Sequence, residues 1–171
     1  MSTKKYASNS KIKPEVQEAA ALYESPYKTG KNLKGQLAEI SYGWNDDSRG
    51  FDLVTVIRTG IDYKTFENIA SQTPLKDKDW ATILDTTTRT LVRYKNDNKT
   101  FAPTQTEKII EIQQLMHYGE EVFGDIKSFH SWLEIKNIAL GGVIPKNLLD
   151  TSIGLGMVKD ALGRIEHGIL A

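Results

Sequence analysis

The chain has 171 residues, no cysteine, and 22 basic residues against 22 acidic ones. The absence of cysteine excludes disulfides, thiolate metal sites and cysteine nucleophiles. The neutral total argues against a surface coated in positive charge, yet it leaves room for a local basic face. No stretch approaches the ~18 consecutive apolar residues of a membrane span, and no apolar signal-peptide core follows the N-terminus. We therefore expect a soluble, cytoplasmic protein that makes no membrane contact.

Residues 1–50 form a polar first segment, with seven lysines among the first 40 residues and no sustained apolar period. Pro14 is suited to the first turn of one short helix, and the rest is typical of an arm that is part helical or disordered. Its lysines form either a solvated tail or an extension that contacts DNA. The arm is also a candidate protease-labile segment.

Helix signals are dense from Phe51 onward. The apolar spacing over residues 52–59 predicts a first helix, which Gly60 would end. Asp62 is suited to cap a second helix that runs to about Ser71. These short, strongly punctuated segments indicate a small helical bundle rather than a sheet.

A helix–turn–helix pattern follows in residues 77–95. A short helix over residues 77–84 precedes a tight turn at Asp85 and Thr86, and Thr87 would cap the next helix. The buried anchor of that helix is Leu91. The turn contains no glycine, which departs from the usual composition of such turns.

The second helix of this pattern is a candidate DNA-reading helix, because outward residues in its first turns would meet base edges in the major groove. We predict that Arg89 or Arg93 binds a guanine, while Lys95 and Lys99 contact phosphates. Alternatively, these charges form only the solvated face of an ordinary helix. The candidate DNA contacts are Thr88, Arg89, Val92, Arg93, Lys95 and Lys99.

The remaining helices are predicted from caps and breaks. A longer helix opens after Pro103 with a capping-box spacing from Thr104 to Glu107, and it bends or stops near Gly119. Asp125 can cap a further helix. After the Gly141-Gly142 break, Pro145 opens a short helical turn, and Thr151 or Ser152 caps the last helix. No strand pattern of comparable strength and no internal repeat occurs, so we predict an all-α fold.

Most of the apolar residues in this last part are predicted to be core, because helical apolar spacing usually means burial. Asn137 suits a helix end. The predicted core positions are Trp132, Leu133, Leu140, Leu148, Leu149, Val158, Leu162 and Ile165.

The last third of the chain also carries a recognisable motif series. It reads Phe129-x-x-Trp132-Leu133, Asn137-x-Ala139-Leu140-Gly141-Gly142, Pro145-x-x-Leu148-Leu149-Asp150-Thr151 and Leu162-x-Arg164-Ile165-Glu166-His167-Gly168-Ile169. This series resembles the C-terminal domain of the Xre/MbcA/ParS antitoxins, the partners of RES-domain toxins in type II toxin–antitoxin operons. Upstream, Leu84-x-x-Thr87-x-x-Thr90-Leu91-x-Arg93 looks like the recognition-helix region of Xre-type repressors.

This resemblance implies an organisation and a function. It implies an arm over residues 1–50, an Xre-like helix-turn-helix domain over residues 51–124, and a toxin-binding domain over residues 125–171. The protein would neutralise a RES-domain toxin, which degrades NAD or ADP-ribosylates a target, and it would repress its own operon. Its partners would be that toxin and operator DNA, with a homodimer inside a hetero-oligomeric complex.

In the resembled family the C-terminal region of the antitoxin sits over the NAD-binding cleft of the toxin. Here the chain finishes on apolar groups, where a solvent-facing terminus would more commonly be polar. Carried onto this sequence, the resemblance implies toxin contacts at the end of the chain and possible rim contacts before it. The former are Arg164, Glu166, His167, Ile169 and Leu170; the latter are Asn137, Pro145, Asp150 and Lys159.

Two other functions remain open on the sequence. One is a free-standing helix-turn-helix transcriptional regulator whose C-terminal domain dimerises or senses a ligand; the other is an interaction protein that binds no DNA. Catalysis is not expected. The three histidines, His117, His130 and His167, lack zinc-motif spacing, and we expect each at the surface or at a helix end. No cofactor or metal is expected.

Overall fold

A computed structural model of the chain describes residues 47–169, with side chains from Leu53 onward. In this part of the chain there are seven α-helices, two short 3-10 helices and no strand. The all-α prediction is confirmed. Of the arm predicted over residues 1–50, residues 1–46 lie outside the described residues, including the helix predicted at Pro14, and residues 47–50 belong to the first helix.

The helices follow one another through short connections. They are α1 (Asp47–Thr59), α2 (Tyr63–Ala70), α3 (Asp77–Ile83), α4 (Thr88–Asp97), α5 (Pro103–Phe123), α6 (Ile126–Glu134), η1 (Ile138–Leu140), η2 (Pro145–Leu148) and α7 (Ser152–Glu166). None of the helices between residues 47 and 169 is both long enough and apolar enough to cross a membrane.

Four helices begin at the side-chain caps that the sequence predicts. In each case a side-chain oxygen accepts a hydrogen bond from a backbone N–H of the first turn, which otherwise lacks a partner. The N···O distances lie between 2.9 and 3.1 Å. The caps are Asp62 for α2, Thr87 for α4, Asp125 for α6 and Thr151 for α7.

An aromatic cluster forms the core of the first helices. The ring centroid of Phe66 lies 5.0 Å from that of Trp80 and 5.0 Å from that of Phe101. Tyr94 of α4 packs on Phe101 at 5.1 Å. Burying aromatic rings of this size stabilises the fold by a few kcal/mol each, about 1.5–3 for a phenylalanine. The cluster joins α2, α3 and α4 to the segment before α5, and so it fixes the orientation of α4.

Side chains of α5 also hold the end of α3 in place. Gln105 donates from Nε2 to the carbonyl oxygen of Leu84 at 3.1 Å, and Lys108 donates from Nζ to that of Ile83 at 2.8 Å. The last carbonyls of a helix have no partner within the helix. These two hydrogen bonds satisfy them and fix the turn between α3 and α4 against α5.

The long helix α5 differs from its prediction at both ends. It begins at Pro103 rather than at a capping box from Thr104 to Glu107. Thr106 is fully buried, and its hydroxyl donates to the carbonyl of Phe101 at 3.4 Å. A stop near Gly119, one of the two predicted alternatives, is wrong, because α5 continues to Phe123.

Gly119 instead allows close packing of α6 on α5. A Cβ atom built on Gly119 would overlap the ring of Phe129, which is itself fully buried. The sequence prediction treated this glycine as a local helix breaker. Its role is a tertiary one, since it brings the α6 aromatic against the α5 backbone.

We therefore expect Gly119→Ala to lower the free energy of unfolding by about 1–3 kcal/mol, the usual cost of overpacking a core. A matched control is Gly156→Ala in α7, where a Cβ would meet no atom within 4 Å. That change should raise the free energy of unfolding by about 0.4–1 kcal/mol, because alanine has less freedom to lose on folding. Urea unfolding of both variants measures the difference. Equal effects would contradict the packing role of Gly119.

The second part of the core joins α5, α6 and α7. Phe129, Leu133, Val158 and Leu162 are fully buried between these helices. Of the predicted core residues, Leu140 and Leu149 are also buried, whereas Trp132, Leu148 and Ile165 are half-buried. This core leaves the outer face of α4 and the end of α7 on the surface.

Candidate functional site

The turn between α3 and α4 has the predicted position and an unpredicted backbone. Asp85 adopts a left-handed conformation with φ of 49°. Aspartate is among the few non-glycine residues that enter this region readily. Thr86 then donates its N–H to the carbonyl of Ala81 at 2.9 Å. Asp85 therefore takes the place of the glycine that the sequence lacks at this turn.

The outer face of α4 is exposed as predicted. Leu91 is only 4% exposed and anchors the helix, while Val92, next to it in the sequence, is 54% exposed. Thr88, Arg89 and Arg93 are exposed as well. The four candidate base-contacting residues therefore share one accessible helix face, set by the Thr87 cap and the Leu91 anchor.

The two arginines of this face form no ion pair with the described side chains. Among the side chains of residues 53–169, no carboxylate lies within ion-pairing distance of Arg89 or Arg93. Arginine offers five N–H donors in a planar fork that matches the acceptor pair of a guanine edge. Both guanidinium groups are thus available to an external acceptor.

The two candidate lysines differ from the arginines. Lys95 donates from Nζ to Oε1 of Glu67 at 2.6 Å, and this hydrogen bond raises the pKa of Lys95. Lys99 lies 3.8 Å from a carboxylate oxygen of Asp97 and 5.9 Å from the ring centroid of Tyr94. Exposed ion pairs of this kind contribute at most about 1 kcal/mol. A phosphate could displace Glu67 from Lys95 or Asp97 from Lys99. The ion pair of Lys95 with Glu67 also ties α4 to α2.

The end of α7 brings four candidate toxin contacts together and closes with an unpredicted motif. The N–H of Gly168 donates to the carbonyl of Ile165 at 3.0 Å, and that of Ile169 donates to the carbonyl of Arg164 at 2.8 Å. Gly168 has φ of 66°. These are the bonds and the left-handed glycine of a Schellman motif. The motif holds Ile169 in a fixed place, 58% exposed, while Leu170 lies outside the described residues.

Polar contacts also order this helix end. Tyr118 of α5 donates its hydroxyl to Oε2 of Glu166 at 2.8 Å. Burial of Tyr118 and this hydrogen bond raise its pKa to about 12. Arg164 donates from Nε to the carbonyl of Asp160 at 3.3 Å, and His167 is exposed at the helix end. The surface formed by Arg164, Glu166, His167 and Ile169 is called the α7-end surface below.

The four candidate rim residues are more scattered. Asn137 caps the start of η1 by accepting from the N–H of Ala139 at 2.7 Å, so it acts at the beginning of a short helix. Pro145 is buried, which leaves little of its ring for a partner. Asp150 is exposed just before α7, and Lys159 is half-buried on α7.

The sequence reasoning missed several exposed apolar side chains. Ile138 is 93% exposed where Asn137 and Val143 pair across a small loop, and Ile135 is 64% exposed after α6. Ile153 and Met157 are exposed on α7 at i, i+4 spacing, opposite the buried Val158. The i, i+4 spacing of Ile153 and Met157 could be recognised in the sequence. The exposure of Ile138 depends on the conformation of its loop.

Two of the clefts in the described part of the chain adjoin α6. One, of about 390 Å³, is lined by Phe123, Trp132 and Ile135. The other, of about 370 Å³, lies between the end of α2, α5 and α6 and is lined by residues that include His117 and His130. Nε2 of His130 is buried without a well-aligned hydrogen bond among the described residues, while the backbone of Gln72 lies near enough to the ring to favour its protonated form.

Both of these histidines are half-buried within helices, so the prediction of surface or helix-end positions is wrong for them. Burial lowers the pKa of His130. Within residues 47–169, no three His, Asp or Glu side chains lie together in a way that would hold a metal ion. His167 is at a helix end, as predicted.

The fold and its surfaces define a helix-turn-helix protein with a second helical domain. Residues 52–113 match the model of the antitoxin Xre-like helix-turn-helix domain. Residues 119–168 match the model of the antitoxin Xre/MbcA/ParS C-terminal toxin-binding domain. Together the two matches cover well over half of the chain, which therefore belongs to the Xre/MbcA/ParS-type antitoxins. The predicted resemblance is confirmed.

Curated relatives agree with this assignment. The chain is 27% identical over 125 residues to Antitoxin Xre of Yersinia enterocolitica, which covers 72% of this chain and 84% of that protein. It is 26% identical over 125 residues to Antitoxin Xre of Photorhabdus laumondii, with the same coverage. It is also 26% identical over 129 residues to the Prs ADP-ribosylating antitoxin of a Sphingobium species, covering 70% of this chain and 81% of that protein.

Proposed function

We propose that the protein neutralises a RES-domain toxin and represses its own operon through α4. In this proposal the NAD chemistry belongs to the toxin, and the chain inhibits it by covering the NAD cleft. The α7-end surface enters or caps that cleft, with Asp150 and Lys159 near its rim. The protein itself contributes no catalytic group.

One observation carries the proposal: the two matched segments expose different chemistry. Of the eight large hydrophobic residues exposed in the described part of the chain, five lie in the segment that matches the toxin-binding domain and a sixth follows it directly. They are Ile135, Ile138, Val143, Ile153, Met157 and Ile169. The helix-turn-helix segment instead exposes Arg89 and Arg93 on α4. Apolar surface suits a protein partner, and unpaired arginines suit nucleic acid.

The DNA-binding half of the proposal requires at least two copies of the chain. Helix-turn-helix dimers read two half-sites about one helical turn apart, whereas a single α4 buries too little surface for tight specific binding. We propose that a homodimer, within a hetero-oligomeric complex with the toxin, binds an inverted repeat upstream of the gene. Lys99 would add phosphate contacts and salt dependence.

A second candidate function is that of a free-standing regulator whose C-terminal domain senses a ligand. The cleft beside His130 favours it, because this cleft adjoins both matched segments and is lined by two half-buried histidines. A ligand there would link the second domain to DNA binding.

Co-expression with a neighbouring RES-domain gene separates these functions. We expect the RES protein alone to arrest growth and deplete NAD, and the present chain to restore both and to co-purify with it. Arg89→Ala with Arg93→Ala should restore growth equally well, because it alters only the DNA-facing helix. Undiminished growth arrest in the presence of well-expressed chain would overturn the antitoxin mechanism and leave the regulator.

A further inference from the structure

The DNA-facing surface of α4 contains one apolar side chain among polar ones. Val92 is 54% exposed. On a helix, residues three and four apart are neighbours, so Val92 lies beside Arg89 and Thr88, and Arg89 also lies beside Arg93. An apolar group therefore sits beside Arg89, which in turn neighbours Arg93, and these two arginines are the groups best suited to bind guanine.

The fold does not account for this valine. Leu91 makes the buried contact of the helix, being 4% exposed, and Val92 points away from the core. A β-branched residue slightly disfavours the helix. Because the methyl groups of Val92 are exposed, they also contribute little hydrophobic stabilisation to the fold. A single exposed apolar side chain is ordinary on a protein surface. Here its place among the candidate base contacts distinguishes it.

Major-groove chemistry offers one apolar partner for Val92. Base edges there present hydrogen-bond donors and acceptors, and the C5 methyl group of thymine is the exception. Valine has neither donor nor acceptor, so packing it on a guanine, adenine or cytosine edge would desolvate polar atoms without replacing their bonds. When valine packs on a thymine methyl group, that group loses only its unfavourable contact with water.

Among the exposed side chains of α4, only Val92 is wholly apolar. Thr88 also carries a methyl group, but beside a hydroxyl that can bond to a polar base edge. Lys95 is directed to Glu67 on α2. Val92 thus forms the apolar part of the face, one helical turn after Arg89.

We propose that Val92 recognises a thymine in each operator half-site through the thymine C5 methyl group, next to the bases that Arg89 and Arg93 contact. This inference rests on the proposed DNA binding and names the base chemistry of that same helix.

Removing the methyl group of single thymines from the DNA tests this proposal. Footprinting with the wild-type protein locates the operator upstream of the gene. Duplexes then carry deoxyuridine in place of one thymine at a time, which removes only the 5-methyl group. Fluorescence anisotropy at fixed salt gives each dissociation constant. For the wild type, we expect one thymine per half-site at which loss of the methyl group weakens binding about four-fold.

Protein variants assign that effect to Val92. Val92→Ser should bind the thymine and deoxyuridine duplexes equally at that position, because the valine methyl groups are gone. Val54→Ser is the matched control, since Val54 is a valine 42% exposed on α1 and away from α4; it should keep the four-fold difference.

Three outcomes overturn the inference. If the wild type footprints normally but shows no methyl-sensitive thymine, or if Val92→Ser keeps the full sensitivity, DNA binding stands and the role of Val92 fails. Absence of any salt-dependent footprint overturns the proposed DNA binding itself, and this inference with it.

Discussion

Replacing Arg89 and Arg93 together with alanine should weaken operator binding by at least about 30-fold, because each bidentate arginine–guanine contact contributes about 1–3 kcal/mol of discrimination. Both side chains are exposed on α4, and neither forms an ion pair with a described carboxylate. Their loss therefore leaves the core intact. Anisotropy titrations on operator DNA and on scrambled DNA measure the change, and the preference for the operator should shrink more than the affinity for scrambled DNA.

A charge-matched variant separates base reading from general electrostatics. Lys127→Ala with Lys136→Ala also removes two positive charges, but from exposed positions outside the helix-turn-helix segment. It should leave the preference for the operator unchanged. If the double arginine variant binds operator DNA as tightly as the wild type does, α4 is not the reading helix.

Helix starts could be predicted from the sequence because their determinants are local. Asp62, Thr87, Asp125 and Thr151 each cap the helix that follows within three residues. A cap depends on a side chain and its nearest backbone N–H groups, and both are fixed by sequence neighbours. The same locality made the exposed face of α4 predictable once Leu91 was taken as its buried anchor.

Features that depend on distant residues could not be predicted. Gly119 looks like a break because glycine disfavours helices, yet its position is explained by the ring of Phe129 on another helix. The ion pair between Lys95 and Glu67 joins residues 28 apart in the sequence. In each case a tertiary contact overrides the local preference.

The candidate partner surface was only partly predictable. The residues of the α7-end surface could be named because the motif series resembles a toxin-binding domain. The positions of these residues depend on the Schellman motif at Gly168 and on the hydrogen bond from Tyr118 to Glu166. The glycine followed by Ile169 was a local signal for that motif, whereas Tyr118 lies on α5, far away in sequence. The structure thereby shows which part of this surface is held rigidly.

Ile169→Asp should weaken toxin binding by at least about 30-fold, the effect of losing an interface hot spot of about 2 kcal/mol. Ile169 is exposed, and the Schellman motif fixes it through its backbone N–H, which the substitution retains. A charge at this position would have to enter an apolar contact without a partner. Toxin binding is measured by calorimetry, and growth rescue on co-expression is the second readout.

Deletion of residues 167–171 is the stronger form of this test, but it also removes Gly168 and the bonds that close α7. The last turn, with Glu166 and its bond to Tyr118, would then lose part of its support. The point variant avoids this ambiguity, and Ile153→Asp is the comparison variant that tests the other end of the apolar surface, because Ile153 is 79% exposed at the opposite end of α7. Unchanged toxin binding by Ile169→Asp, together with weakened binding by Ile153→Asp, would move the toxin contact from the end of α7 to its beginning. Full neutralisation by both Ile169→Asp and the truncated protein would show that this end of the chain does not cover the cleft.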